Sequence, residues 1–455
     1  MTTANLAAIV LAAGQGTRMK SDLHKVLHPI GGKPMVQHLL DSLTHLSPSR
    51  TVVVIGAKGE QLEQSLQGVE FVKQGEQLGT GHAVQCALPS LEGFEGDLLV
   101  LYGDVPFISE QTMHRMVSTL AEEDDCGLVV LGFEASDPAA YGRLIKGADG
   151  SLERIVEFKD AAPQERAVTL CNSGMMLIEG GSATDWLASL NNDNAAGEFY
   201  LTDLVEIANK SGRSVAVVET DEAELMGINS RSELAAAEAI FQSKMRDAAM
   251  ADGVSLVAPE TVFFSFDTKL GRDVVIEPNV VFAPGVTVED GSTIKAFSHL
   301  EGATVRTGAS VGPYARLRPA ADIGPGAKIG NFVEIKKATL AEGVKVSHLT
   351  YIGDATIGAH ANIGAGTITC NYDGFLKYQT TIGAGAFIGS NSALVAPVTI
   401  GDNANVGAGS VVTKDVEGDA LGVSRARQRN IEGYAAKFRK EKSAEKAARN
   451  AKKKD

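Results

Sequence analysis

The sequence of 455 residues predicts two folds in succession, an open α/β domain over residues 1–227 and a parallel β-helix over residues 251–436. Short apolar runs that alternate with helix-like segments indicate the first fold, because a sheet covered on both faces has this pattern. Apolar residues that recur every six positions indicate the second. The 49 glycines and the aromatic content of 5% fit an architecture with many tight turns.

The α/β domain is predicted from four continuous apolar runs bounded by glycine or charged residues: Ala7–Ala12, Val52–Ile55, Leu98–Tyr102 and Leu128–Leu131. Helix-like segments lie between these runs, for example Met35–Leu46 and Thr112–Glu122. Together they predict a doubly wound α/β domain. The Ala- and Glu-rich stretch Ser230–Met250 then predicts a connecting helix in a linker of residues 228–250.

The β-helix is predicted from three sets of apolar residues spaced by six: Leu270, Ile276, Phe282, Val288, Ile294, Leu300; Val305, Val311, Leu317, Ile323, Ile329, Ile335; and Ile382, Ile388, Leu394, Ile400, Val406, Val412. Each hexad supplies one short strand and a turn. Three hexads close one triangular coil of 18 residues, with the apolar side chains inside. The predicted class is an all-β, left-handed parallel β-helix of hexapeptide repeats.

Two segments interrupt or follow the repeat. Residues Cys370–Thr381 break it, and such an insertion leaves a solenoid as a loop, commonly on the binding face. The alternative is a loop without a function. Residues 437–455 hold nine Lys or Arg and three Asp or Glu, which predicts a basic, low-complexity tail. A solvated tail is the first interpretation, and a contribution to anion binding is the second.

Composition excludes several classes of function. A net charge of −14 argues against general nucleic-acid binding, which needs a basic surface. No apolar run approaches the ~20 residues of a membrane helix, and Leu6–Ala13 is too short for a signal peptide. The four cysteines lie far apart without CxxC spacing. We therefore expect a reduced, cytoplasmic enzyme with small-molecule substrates and neither nucleic-acid nor membrane partners.

A glycine-rich turn, LAAGQGTRM, follows the first predicted strand. Its backbone N–H groups are suited to phosphate, although many strand-to-helix turns carry glycine for steric reasons alone. The turn lacks the third glycine of a dinucleotide fingerprint and the GK[ST] of a P-loop. Arg18 and Lys25 follow it as two cations, which fit either a phosphate site or an ordinary surface.

Asp104 follows the third predicted strand, in the run Tyr102–Pro106. Ligands of open α/β sheets gather at the carboxyl ends of strands. A carboxylate there is well placed to hold Mg²⁺ against phosphate oxygens. The alternative is an aspartate that caps the next helix or forms a turn.

In the second half, Arg318 and Lys336 are 18 residues apart and so stack on neighbouring coils, ~4.8 Å apart. Like charges in this arrangement repel, which predicts an anion such as a sugar phosphate between them. Two surface cations are the alternative. His348 lies nearby in the run SHLTY, and histidine is able to take a proton near neutral pH, although a lone histidine is more often structural.

The motifs together resemble a known family. LAAGQGTRM, Lys25, Gln74, QLGTGH, YGD, YGR, Glu157, NSG and Asn229 are similar in order and spacing to those of the sugar-1-phosphate nucleotidylyltransferases. With the hexapeptide half, the chain from Ala7 to about Arg425 resembles the bacterial bifunctional N-acetylglucosamine-1-phosphate uridylyltransferase/glucosamine-1-phosphate acetyltransferases. Two departures occur: His24 stands where the family usually has proline, and Ser173 where threonine is common.

The resemblance implies a Rossmann-like nucleotidyltransferase domain that uses UTP and Mg²⁺. It implies nucleotide binding by Leu11, Ala12, Gly14, Lys25, Gln74, Gly79, Thr80, Tyr102 and Gly103. It implies that the sugar phosphate is bound by Gly142, Glu157, Asn172 and Asn229. It also implies that Mg²⁺ is bound by Asp104 and Asn229. Since the sugar phosphate is already a nucleophile, no base is required, and Arg18 and Lys25 act as catalytic cations that screen repulsion between two anions.

For the second half, the resemblance implies His348 as the base for acetyl transfer from acetyl-CoA. Arg318, Lys336, Tyr351 and Asn362 hold glucosamine-1-phosphate. Ala365, Asn371, Tyr372, Ser390, Ala408 and Arg425 surround acetyl-CoA, with Asn371 and Tyr372 also near the sugar. The resemblance further implies a homotrimer built through the β-helix, with shared acetyl sites, and a role in peptidoglycan and lipopolysaccharide precursor synthesis.

Two other functions fit part of the sequence. One is a nucleotidylyltransferase with a single activity and a structural or regulatory β-helix. His348, the Arg318/Lys336 pair and the inserted loop oppose it. The other is a scaffold without catalysis, which the retention of Arg18, Lys25, Asp104 and Asn229 opposes.

Overall fold

The structure is a computed structural model that describes residues 5–138, 141–148, 150–194 and 196–451. Its contacts divide the chain into two compact units. The first runs to Ala248 and includes Phe264–Asp267, and the second holds Ala249–Phe263 and the chain from Thr268 onward. The segment treated above as a linker therefore forms a helix that belongs mostly to the first unit.

The described part of the first unit alternates strands and helices. Its strands are β1 (Leu6–Ala12), β2 (Pro29–Ile30), β3 (Lys33–Pro34), β4 (Arg50–Ile55), β5 (Glu70–Lys73), β6 (Asp97–Tyr102), β7 (Cys126–Glu134), β8 (Arg143–Lys146), β9 (Leu152–Val156), β10 (Leu170–Ile178) and β11 (Ser214–Glu219). Its helices are α1 (Met35–Thr44), α2 (Glu60–Ser65), α3 (Thr80–Ala87), α4 (Glu110–Glu122), α5 (Pro163–Arg166), α6 (Gly180–Ser189), α7 (Leu204–Lys210) and α8 (Arg231–Ala251), which ends in the second unit.

The main sheet has the strand order β11-β7-β10-β6-β1-β4-β5. Every residue of β1 is buried, and alternate side chains enter two apolar layers, with Ala8 and Val10 on one face and Ala7 and Ile9 on the other. Strand β1 is parallel to β4 and β6, as expected, whereas β10 is antiparallel to β6 and β7. The α/β class is confirmed, and the sheet is mixed.

The pairing of β1 with β6 positions the site. Leu11 lies beside Tyr102, and the Gly103 N–H donates to the Leu11 carbonyl oxygen (2.9 Å). The turn after β1 and the Asp104 loop after β6 therefore emerge at the same edge of the sheet. This is where open α/β sheets bind their ligands.

The second unit is built from short parallel strands: β12 (Ser255–Leu256), β13 (Lys269–Leu270), β14 (Val275–Ile276), β15 (Val281–Phe282), β16 (Thr287–Val288), β17 (Thr293–Ile294), β18 (His299–Leu300), β19 (Ala303–Val305), β20 (Ser310–Val311), β21 (Arg316–Leu317), β22 (Ala321–Ile323), β23 (Lys328–Asn331), β24 (Glu334–Leu340), β25 (Lys345–His348), β26 (Tyr351–Ile357), β27 (Asn362–Ile363), β28 (Ile368–Cys370), β29 (Thr380–Ile382), β30 (Phe387–Ile388), β31 (Ala393–Val395), β32 (Val398–Ile400), β33 (Asn405–Val406), β34 (Val411–Val412) and β35 (Leu421–Gly422). A final helix, α9, covers Tyr434–Ala451.

The hexapeptide prediction is confirmed at the level of burial and register. All residues of the three apolar sets are buried except Leu270, which is half-buried. The coil length is less uniform than the predicted 18 residues: Arg316 pairs with Glu334, 18 positions on, but Asn331 pairs with His348, 17 positions on. A step of five residues instead of six, between the buried side chains of Ile335 and Leu340, explains this shorter coil.

The break in the repeat forms a loop between β28 and β29, so Ile363 pairs with Ile388 rather than with a residue 17 or 18 positions later. The loop is closed by an antiparallel bridge between Tyr372 and Lys377, and Phe375 at its tip is 92% exposed. Helix α9 covers the described part of the basic tail and is exposed along its length. The last residues of the tail, 452–455, lie outside the described part of the chain. No described helix is both long and apolar enough to cross a membrane.

We expect Ile329→Ala to lower the free energy of unfolding of the second unit by about 2–5 kcal/mol. Ile329 is 2% exposed and pairs with Val311 and Val346 of the neighbouring coils. Lys328→Ala, on the adjacent exposed position, is the control, with a change within about 0.5 kcal/mol. Circular dichroism in a denaturant series measures both, while the single tryptophan, Trp186, reports the first unit alone. Equal effects of the two variants would contradict the register.

Candidate active sites

Two adjoining cavities of about 330 and 510 Å³ open in the first unit, and both have the volume of an ordinary ligand site. They share Thr80, Tyr102 and Glu198 in their walls. The smaller cavity brings together residues predicted to bind nucleotide or metal: Leu11, Ala12, Gly14, Lys25, Gln74, Gly79, Thr80, Tyr102 and Asp104. The larger one contains the predicted sugar-phosphate residues Gly142, Glu157 and Asn172. The two predicted groups therefore line adjacent spaces.

Lys25 joins the two predicted metal ligands. Its ammonium Nζ lies 2.5 Å from Asp104 Oδ2 and 3.0 Å from Asn229 Oδ1. Two oxygen donors from distant parts of the chain thus converge on one cation. Among the described residues, no cluster of three or more His, Cys, Asp or Glu side chains forms a metal site. A divalent ion at this point would therefore take its remaining ligands from water and substrate phosphates, as Mg²⁺ commonly does.

Three predicted residues lie apart from the cavity walls. The structure describes Arg18, Gly103 and Asn229, and none of them is part of either wall. The Gly103 backbone N–H instead donates a hydrogen bond to β1. Arg18 is exposed and acts on Glu233 at the start of α8. Burial opposes ionisation there, yet N–H groups of Asn229 and Ser230 and the charge of Arg18 hold the pKa of Glu233 below its ordinary value.

Glu157 and Glu198 make the larger cavity acidic. Burial, followed by the charges of Asp160 and Asp203, raises the pKa of Glu157. Glu198 lines both cavities and was missed by the sequence reasoning, since no motif marks it. Carboxylates in this cavity accept hydrogen bonds from the hydroxyl groups of a sugar and repel phosphate. They therefore favour a sugar phosphate bound with its phosphate directed toward Lys25.

In the second unit, the imidazole of His348 is exposed at the end of β25, beside Asn331 at the end of β23. The distance from His348 Nδ1 to Asn331 Oδ1 is 2.7 Å. An amide oxygen only accepts, so Nδ1 carries the proton and Nε2 is left with its lone pair. Sequence reasoning missed Asn331, because the predicted spacing of 18 residues places Gly330, and not Asn331, one coil before His348.

One corner of the β-helix carries most of the residues predicted at acetyl-CoA. Successive turns are joined by backbone bonds from Gly366 to His348, Asn391 to Ala365 and Gly409 to Ser390. The Arg425 guanidinium then donates to the Ala408 carbonyl oxygen (2.8 Å). His348, Ala365, Ser390, Ala408 and Arg425 therefore follow one another along this corner, with the cation at the far end.

The predicted phosphate-binding cations lie on another face of the coil. The charges of Lys377, first, and then Arg318 lower the pKa of the Lys336 ammonium, so the three cations are close in space. Arg318 also donates to Glu334 Oε1 (2.8 Å), and Tyr351 pairs with Glu334 on the next coil. The chain itself thus supplies an anion that relieves part of the repulsion.

The remaining predicted residues flank these groups. Asn371 Nδ2 donates to Asp354 Oδ2 (2.5 Å), and Asp354 is paired with Lys337 (3.6 Å). Tyr372 is exposed in the inserted loop. Asn362 lies on the strand beside β25, in a different sheet path from Tyr351. The chain therefore presents its predicted acetyl-transfer residues on two faces and at the corners between strands.

Comparisons with known proteins find matches to both the α/β half and the β-helix half of the chain. A family model described as MobA-like NTP transferase domain matches residues 8–166, and one described as bacterial transferase hexapeptide (six repeats) matches residues 267–302 and 379–414. A protein named bifunctional protein GlmU from Rhizorhabdus wittichii is 62% identical over 99% of this chain and 100% of its own length. Proteins of the same name from Sphingopyxis alaskensis and Paramagnetospirillum magneticum are 59% and 54% identical, covering 97% and 99% of this chain and 98% and 100% of their own. The chain belongs to the GlmU family of bifunctional proteins.

Proposed function

We propose that the chain carries out two consecutive steps of UDP-N-acetylglucosamine synthesis. Acetyl transfer from acetyl-CoA to glucosamine-1-phosphate takes place on the β-helix. Uridylyl transfer from UTP to the product, N-acetylglucosamine-1-phosphate, takes place in the α/β unit and releases pyrophosphate. Full-length identity with bifunctional relatives supports both steps. The single observation that carries the proposal is the presence of two separate sets of reactive groups, around Lys25 and around His348.

In uridylyl transfer, a phosphate oxygen of the sugar phosphate attacks the α-phosphorus of UTP. One P–O bond forms as the bond to pyrophosphate breaks. Both reactants are anions, so the residues must hold them in line and screen their repulsion. Lys25 is the cation that lines the smaller cavity, where it lies beside Asp104. Gly142, Glu157 and Asn172 hold the sugar phosphate, and the turn after β1 holds the nucleotide.

Asp104 and Asn229 are the residues that would hold Mg²⁺. Their oxygens already converge on one positive group, the Lys25 ammonium, and they are hard donors of the kind Mg²⁺ prefers. When bound, Mg²⁺ supplies positive charge against phosphate oxygens. Lys25, beside Asp104, adds its own positive charge to the same phosphates.

In acetyl transfer, the amine of glucosamine-1-phosphate attacks the thioester carbonyl carbon. The C–N bond forms, the C–S bond breaks, and the amine proton goes to His348 Nε2. The bond from His348 Nδ1 to Asn331 holds the ring in the tautomer that this step requires. Arg318 and Lys336 bind the sugar phosphate, with Tyr351, Asn362, Asn371 and Tyr372 around it. Backbone N–H groups near Ala365 steady the developing oxyanion, and Arg425 faces the CoA phosphates.

The working unit is a homotrimer in the cytoplasm. Four large apolar side chains, Phe297, Tyr314, Phe332 and Leu349, follow one another along the corner that ends beside His348, each 48–62% exposed. The Phe297 and Tyr314 rings stack at 4.8 Å, and those of Tyr314 and Phe332 at 5.3 Å. An exposed apolar ladder of this kind marks an interface. A neighbouring subunit that covers it would also bring a second face to the His348 corner.

The experiment that tests the function is to incubate the protein with glucosamine-1-phosphate, acetyl-CoA, UTP and Mg²⁺ and to identify the products by mass. We expect CoA, pyrophosphate and UDP-N-acetylglucosamine. With UTP omitted, we expect N-acetylglucosamine-1-phosphate. Pyrophosphate without CoA would instead support a nucleotidylyltransferase with one activity.

A further inference from the structure

The amide of Gln74 is held in one orientation inside the smaller cavity. Gln74 is 5% exposed, and its Nε2 donates to the Gly79 carbonyl oxygen at 3.1 Å. The same nitrogen lies 3.2 Å from His82 Nδ1. A carbonyl oxygen only accepts, so the atom facing Gly79 is the amide nitrogen and not the amide oxygen.

This orientation fixes the tautomer of His82. An NH₂ group does not accept, so His82 Nδ1 is the acceptor and its proton is on Nε2. That nitrogen lies 3.7 Å from Cys86 Sγ, one helical turn further along α3. The imidazole also lies against Phe199, with ring centroids 6.1 Å apart. His82 is therefore held on both sides, and its Nδ1 accepts a second hydrogen bond from Gln74 Nε2, beside the one that the Gly79 carbonyl oxygen accepts.

The amide oxygen of Gln74 is the atom left for a ligand. Within the described part of the chain, Gln74 Oε1 accepts no hydrogen bond, and the side chain lines the cavity beside Gly79 and Thr80. An acceptor here matches the N3–H donor of uracil. Cytosine has a lone pair at N3, so two acceptors would face each other unless the amide turned over. Turning it over costs both Nε2 bonds.

We infer that His82 is a positioning residue that selects uracil over cytosine nucleotides by fixing the amide of Gln74. The inference rests on the proposed uridylyl transfer and adds a residue outside the direct contacts to substrate. His82 acts through Gln74, because the described wall of the smaller cavity includes Gln74 but not His82.

The test compares UTP with CTP in wild type, His82→Phe and His82→Asn, measured as kcat/KM for pyrophosphate release. Phenylalanine keeps a ring against Phe199 but offers no acceptor to Gln74. Asparagine places an amide oxygen close to the position of Nδ1. We expect His82→Phe to lower the UTP preference about tenfold, the effect of one hydrogen bond, mainly through a higher KM for UTP. We expect His82→Asn to restore most of it.

Three results separate the explanations. A lower UTP preference in His82→Phe that returns in His82→Asn supports the inference. Equal losses with UTP and CTP in His82→Phe, or no recovery of the ratio in His82→Asn, would overturn it, because a purely structural role lowers both rates together. Trp186 fluorescence in the same samples reports that the first unit of each variant is folded. Failure of the wild type to release pyrophosphate from UTP would instead refute the proposed function.

Discussion

His348→Ala is expected to lower CoA release by about 10²- to 10⁴-fold, the usual contribution of a positioned general base. Pyrophosphate release from N-acetylglucosamine-1-phosphate and UTP should stay at the wild-type rate. CoA release falls because the variant removes the lone pair at His348 Nε2 that takes the amine proton. Pyrophosphate release is unaffected because Lys25 and Asp104 lie in the other unit. Both products are measured in parallel on one preparation.

Asn331→Ala is the companion variant for this first prediction. It keeps the imidazole but removes the acceptor for Nδ1–H, so the ring loses its fixed tautomer. The loss of one orienting hydrogen bond predicts a decrease of about tenfold in CoA release. Asn331→Asp keeps an acceptor and should retain more activity. Wild-type CoA release in His348→Ala would contradict the assignment of the base.

Asp104→Ala is expected to lower pyrophosphate release by about 10²- to 10³-fold, the scale for losing one charge-stabilising contact in a transition state. Asp104 Oδ2 accepts a hydrogen bond from Lys25 Nζ at 2.5 Å. Asp104 and Asn229 are the two residues whose oxygens would hold Mg²⁺. Its removal takes away the carboxylate partner of Lys25 and leaves the neutral Asn229 oxygen as the remaining one of the two proposed metal ligands. CoA release should not change.

Asp22→Ala is the matched control for Asp104, since the Asp22 side chain is fully exposed and its carboxylate forms a long, 3.8 Å pair with Lys58. It should retain both activities. Titration with Mg²⁺ adds a second readout, because Asp104→Ala should need a higher Mg²⁺ concentration for half-maximal rate. An unchanged Mg²⁺ requirement together with a full rate would refute the role of Asp104.

Much of the fold was predictable because it depends on the pattern of apolar residues. The six-residue period predicted side chains that fill the β-helix, and the members of the three apolar sets from Ile276 to Val412 are all buried. Strand direction was not predictable in the same way. Strand β10 is as apolar as its neighbours and runs antiparallel to them, and burial on both faces leaves no trace of direction in the sequence.

The candidate sites were predictable where a motif or a period brings residues together. Arg318 and Lys336 are neighbours because they occupy equivalent places on adjacent coils. The sequence argument sought a bound anion for this pair and did not consider Glu334, whose side chain reaches Arg318 from the adjacent coil. Glu198 was not predictable, because it reaches the cavity from a loop with no periodic pattern.

The central claim is that two independent sites in one chain act in sequence, and mixing the two variants tests it most directly. His348→Ala and Asp104→Ala are each incubated with glucosamine-1-phosphate, acetyl-CoA, UTP and Mg²⁺, alone and together, and UDP-N-acetylglucosamine is quantified by mass. Each variant alone should form almost none, and the mixture should form it readily, because one variant supplies the acetylated sugar phosphate that the other consumes. A mixture that forms no more than the separate variants, while each retains its own half-reaction, would contradict the claim.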